Sequence, residues 1–112
     1  MGGRLHDLKT ILRECVALLT VALIFSAYAL ADGGSDFKFK CAPCHGARGA
    51  GDTKLGQNLH VRDLGSADVQ KQSNDELAAI IVKGKGKMPR NEGKLTKEQI
   101  NELVKFIRTL KK

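Results

Sequence analysis

The sequence predicts an all-α fold, and two observations carry that expectation. Ser73-Asn74-Asp75-Glu76 and Thr96-Lys97-Glu98-Gln99 are both capping boxes, in which a hydroxyl and a side chain three residues later satisfy the free amides of a new helix. Each is followed by apolar residues spaced three and four apart, while beyond residue 31 no apolar–polar alternation runs long enough to build a sheet.

Taken in order, residues 1–31 read as a secretory signal. A basic start (Arg4, Lys9, Arg13) precedes an apolar run from Val16 to Leu30 and the small-residue patterns Ala27-Tyr28-Ala29 and Ala29-Leu30-Ala31. Cleavage is expected after Ala31. The alternative is an uncleaved membrane anchor, but the run falls short of the ~20 apolar residues of a spanning helix and is broken by Thr20 and Ser26. Residues 32–112 then form one domain, too short to bury a generous apolar core unaided.

A short first helix is expected from Gly33 or Ser35 into Cys41, with Phe37 one turn earlier. Gly46, Gly49 and Gly51 punctuate a loop reaching to about Leu64, with little helical character. They are expected to let the chain pass close to a neighbouring group. One helical turn is expected at Ser66–Gln70. The helix opened by Ser73 buries Leu77, Ile80 and Ile81 and stops at Gly84. The last helix, opened by Thr96, presents Ile100, Leu103, Val104, Ile107 and Leu110 as one stripe, widened by Phe106.

The chain has 112 residues and a formal net charge of +7. After residue 31 there remain 16 basic and 10 acidic residues, so the domain itself carries +6. Acidic partners suit that charge. Nucleic acid does not: the chain reads as exported, and only Phe37, Phe39 and Phe106 remain for base stacking. Gly46–Gly51 is no phosphate loop, since it follows no strand and lacks the Gly-Lys-Ser/Thr ending.

Of three cysteines, Cys15 lies in the signal, leaving Cys41 and Cys44 to explain each other. Cys41-Ala42-Pro43-Cys44-His45 has the C-x-x-C-H spacing of covalent haem attachment. Within one helical turn the two thiols can each bond a haem vinyl group, and the next residue delivers an imidazole to the iron. A structural zinc site would need a second ligand pair, and only His60 is left. A dithiol redox motif would need a βαβ setting. A plain disulfide would close too small a loop to stabilise much. For the second axial position, Met88 is the only methionine besides the initiator. Its setting, Gly84-Lys85-Gly86-Lys87-Met88-Pro89, is a loop, because Pro89 biases the preceding residue away from helix. His60 is the competing ligand; a lone histidine in a polar loop is ordinarily solvated.

On Cys41–His45, Lys87-Met88-Pro89 and the closing helix, the chain from Gly33 onward resembles the short bacterial class I cytochromes c. The resemblance implies three to four helices wrapped around one covalently bound haem c with its iron. It also implies a crossing of first and last helices at Gly33 and Phe37, opposite Leu103 and Phe106. In such proteins backbone near Val61–Leu64 holds the ring nitrogen of the proximal histidine, though here Arg62 stands where a proline is common. With Tyr28 in the signal and no tryptophan, Arg62, Gln57 or Asn58 would have to serve the haem propionates.

The expected function is periplasmic single-electron transfer through a His45/Met88-ligated haem, by a monomer that is no enzyme. Lys83, Lys85, Lys87 and Arg90 surround Met88 and form a candidate docking face for acidic redox partners. Two alternatives stay open. One is a haem-based ligand sensor or peroxidase-like domain with a labile Met88. The other is a membrane-tethered cytochrome subunit of a respiratory complex that retains the anchor.

Overall fold

The structure is a computed structural model and describes residues 2–28 and 32–112. It divides into two compact units, residues 1–30 and 31–112. The expected processing point after Ala31 lies outside the described residues.

In the first unit, α1 (Gly2–Tyr28) is one continuous helix. Leu5, Leu12 and Leu18 on it are exposed. Among the described residues, no helix is long and apolar enough to cross a membrane.

The second unit is built of helices α2 (Gly33–Asp36), α3 (Ala42–His45), α4 (Lys54–Leu59), α5 (Ala67–Gln70), α6 (Asn74–Lys83) and α7 (Lys97–Thr109). Its only strand-like feature among the described residues is one bridge, Lys85 with Met88. Asp32 opens α2 by accepting a hydrogen bond from the Gly34 amide at 3.1 Å. The expected single helix into the cysteines is interrupted by a π-helical turn, Phe37–Cys41. Pro43 is the physical reason. A proline within a helix removes a donor and collides with the carbonyl four residues earlier, here that of Phe39. Widening the preceding turn, so that the Ala42 amide reaches back to the Phe37 carbonyl, resets the register.

Gly46–Leu64 departs from the expected plain loop. Thr53 accepts a hydrogen bond from the Gly56 amide at 2.8 Å and opens α4, which closes at His60 in the left-handed conformation (φ 54°). Gly49 and Gly51, both with positive φ, bring the chain against its own later segment rather than merely past a neighbouring group. The Leu64 amide donates to the Gly49 carbonyl at 2.8 Å, and a side chain at Gly51 would press on the Val61 carbonyl.

Both capping boxes form in full, with side chain and backbone exchanging hydrogen bonds in each direction. Gln99 does more than cap. Its Nε2 donates to Asp36 Oδ2 at 3.0 Å, and Asp36 also receives Lys40 Nζ at 2.6 Å, so the start of α7 is tied to the end of α2. The covered apolar side chains are Phe37, Val69, Leu77, Ile81, Leu103, Val104 and Ile107; Ile80 is only half-buried. A polar latch closes the far end. Arg108 donates to the Gln70 carbonyl (2.8 Å), the Gln72 carbonyl and Asn74 Oδ1 (2.9 Å). Gln70 Nε2 in turn donates to the carbonyls of Leu64 (2.8 Å) and Ile107 (3.0 Å).

The crossing of α2 and α7 depends on Gly33, which is buried with its α-carbon against the backbone of Glu102 and Leu103. A methyl added there would overlap the Glu102 carbonyl. Gly33→Ala is expected to cost about 3 kcal/mol, the upper end for overpacking, because rigid backbone stands in the way. In a domain this size that lowers the melting temperature by on the order of 10–20 °C, which a circular-dichroism melt of the holoprotein checks.

Candidate functional site

The Cys41–His45 segment sits on the π turn and α3, between the core and α4. Phe37 is 1% exposed and organises the approach to the imidazole. Its ring centroid lies 4.9 Å from that of Phe106 on α7 and 6.4 Å from that of His45, tilted by 42° and 44°. A run of rings therefore leads from the last helix to the imidazole. Burial holds His45 below its ordinary pKa, so the ring is neutral near pH 7. Its Nδ1 is buried without a hydrogen-bond partner. The hydrogen bond expected from backbone at 61–64 is thus not made; that backbone turns instead to Gly49 and Gly51.

Cys41 packs against the core, and burial pushes its thiol up to about 11, with the Asp36 carboxylate adding to the rise. Cys44 is half-buried, and no disulfide joins it to Cys41. Met88 is half-buried and packs against the same apolar cluster as Cys41. Its loop is held by backbone. The Lys85 and Met88 amides and carbonyls pair at 3.3 and 3.0 Å. Asn91 donates its amide to the Val82 carbonyl at 2.9 Å and its Nδ2 to the Ile81 carbonyl at 3.0 Å. Gly84 (φ 72°) is required, because a side chain there would strike the Met88 carbonyl.

These residues fit an iron porphyrin. A metal-bound imidazole must be neutral, a thiol that adds to a vinyl group brings no net charge, and a thioether is a soft neutral donor. All four are half-buried: Cys41 and Met88 pack on one apolar cluster and His45 stands beside its Phe37, with Cys44 next to it in the chain. The other sequence candidates stand apart in character. His60 is exposed on the left-handed cap of α4, and Gln57, Asn58 and Arg62 are exposed. Lys83, Lys85 and Lys87 are exposed and make no ion pair among the described residues, whereas Arg90 pairs with Glu92 at 3.2 Å.

Sequence reasoning passed over Thr53, Gly56 and Asn91. Thr53 and Gly56 carry a signal in retrospect, a threonine followed three residues later by glycine, but nothing local says which carbonyls they meet. Asn91 announces itself only by following the Met88 loop.

A helical unit with no strand among its described residues, with two cysteines and a histidine at Cys41–His45 and Met88 packed on the same apolar cluster as Cys41, defines a small class I c-type cytochrome. Comparison with known proteins agrees. Residues 29–107 match the family model described as cytochrome c oxidase, cbb3-type, subunit III, and the chain belongs to that cytochrome c family. It is 34% identical over 99 residues to cytochrome c6 of Nostoc sp. (strain PCC 7120 / SAG 25.82 / UTEX 2576), covering 82% of each chain. It is 31% identical over 77 residues to cytochrome c6 of Leptolyngbya boryana, covering 69% of this chain and 87% of the relative. Among solved structures, the KustC0563 c-type cytochrome superposes with a TM-score of 0.67 at 34% identity, over 72% of this chain and 99% of the other. The chain is therefore a haem-based electron carrier with covalently bound haem c and its iron.

Proposed function

We propose that this protein is an exported, periplasmic one-electron carrier whose haem is attached through Cys41 and Cys44 and held axially by His45 and Met88. The observation that carries this reading is that Cys41 and Met88 pack on one apolar cluster while a neutral His45 stands beside Phe37 of that cluster. The bound haem supplies a one-electron couple at its iron. With His45 and Met88 both bound to the iron, no position would be left for a substrate, and outer-sphere transfer would be the remaining chemistry. The Met88 thioether favours the reduced state, and burial of the site disfavours the extra positive charge of the oxidised one. The backbone ties on the Met88 loop hold the sulfur in one place through a redox cycle, which keeps reorganisation small.

Export rests on the basic start and apolar run of residues 1–31. The exposed Lys83, Lys85 and Lys87, with Arg90, form the collar that meets an acidic redox partner. Lys83 stands on the last turn of α6, and the half-negative end of that helix favours a cation there.

The test is kinetic and spectroscopic. The reduced protein is expected to refuse carbon monoxide at neutral pH and to pass single electrons reversibly to an acidic partner. That rate is expected to fall steeply as salt rises and the Debye length shrinks from ~10 Å at 0.1 M. Ready carbon monoxide binding favours the sensor or peroxidase reading, and a flat salt dependence removes the docking face.

A further inference from the structure

α3 is a single turn, so beyond the one bond that closes it its carbonyls must find partners outside the helix. The Ala42 carbonyl accepts from the Gly46 amide at 2.8 Å and the His45 carbonyl from the Gly51 amide at 2.7 Å. The two carbonyls between them, Pro43 and Cys44, both face one hydroxyl. Thr53 Oγ1 lies 3.0 Å from the Pro43 oxygen and 3.1 Å from the Cys44 oxygen. A hydroxyl has one proton, which the two carbonyls share, while its lone pairs accept the Gly56 amide. Gly56 completes the arrangement, since any side chain there would overlap the Cys44 carbonyl.

Thr53 thus holds, from nine residues away, the peptide that joins Cys44 to His45. In the reading proposed above, those neighbours are the second thioether and the axial imidazole. The plane of their shared peptide limits how far the ring can turn about the iron–nitrogen axis while the sulfur stays fixed.

We infer that Thr53 is a positioning residue whose hydroxyl, through the Pro43 and Cys44 carbonyls, sets the orientation of the His45 imidazole relative to the haem. The inference rests on His45 being the axial ligand.

The experiment uses full-length holoprotein and the paramagnetic proton NMR spectrum of its ferric form, where the order and spread of the haem methyl resonances report the imidazole plane. Three variants separate positioning from helix capping. Thr53→Ser keeps the hydroxyl, and its methyl pattern is expected to match the wild type. Thr53→Val removes the hydroxyl, and its pattern is expected to change in order or spread. Thr53→Asp caps a helix as well as threonine does but as a carboxylate has no proton to give, so its pattern is expected to change as well. A wild-type pattern in Thr53→Asp or Thr53→Val, even with a lowered melting temperature, overturns the inference and leaves Thr53 as a cap. A pattern in Thr53→Ser displaced as far as that of Thr53→Val also overturns it. If His45→Ala leaves the ferric spectrum unchanged, the ligand reading fails and the inference with it, an outcome distinct from failure of the Thr53 variants alone.

Discussion

The double substitution Cys41→Ala, Cys44→Ala is expected to leave a colourless chain with no cooperative melt at room temperature or above. The cause is the size of the apolar interior. Residues 32–112 cover only Phe37, three side chains of α7, two of α6 and Val69, and even Phe39, two residues before Cys41, is 72% exposed. A domain of this length is marginal without a further source of burial, and a prosthetic group that binds only the folded state contributes its binding energy to folding. Removing both attachment points takes that contribution away by mass action, since a non-covalent haem is lost on dilution. Circular dichroism of the double variant, produced in a host competent for haem attachment, decides the matter. A sharp, native-like transition would show that the helices stand without the cofactor.

Met88→Ala should act on the opposite side of the ledger: little on folding, much on redox. The side chain is half-buried, so truncation costs about 1–2 kcal/mol, below the range for fully covered methionine. The loop itself persists, because its ties run through the backbone of Lys85 and Met88 and through Asn91. What goes is the thioether. The weak near-infrared sulfur-to-iron band should vanish, and the reduction potential should fall by on the order of 0.1 V or more, part of the roughly 0.8 V that axial ligands command. Carbon monoxide should now bind the reduced protein. A variant with the band intact would identify another sulfur, or another ligand arrangement, at the iron.

Helices that begin with chemistry of their own were legible before any coordinates. Ser73 with Glu76 and Thr96 with Gln99 announce α6 and α7, and the stripe from Ile100 to Leu110 gives the face that packs. The Gly33 and Phe37 crossing followed from resemblance and is made as expected, against Glu102, Leu103 and Phe106. Elements that owe their existence to distant partners were not legible. α4 is six residues long, with only Leu55 and Leu59 apolar and glycine and polar residues between them, too little to announce a helix; it forms because Thr53 and Gly56 lean on the Pro43 and Cys44 carbonyls. The π turn answers to Pro43, whose steric demand falls on residues before it. The grip of Arg108 on the Gln70 and Gln72 carbonyls joins segments more than thirty residues apart, and no local pattern encodes it. For the site, the four candidate residues are marked by type and spacing, whereas those that steady their backbone, such as Asn91, are marked by neither.

The pairing of α2 with α7 has a bearing on how the chain is made. Gly33 finds its packing surface at Glu102 and Leu103, so this crossing cannot form until those late residues have left the ribosome. Such long-range closure is entropically slow. A chain that closes so late keeps its thiols within reach of haem attachment before that crossing forms.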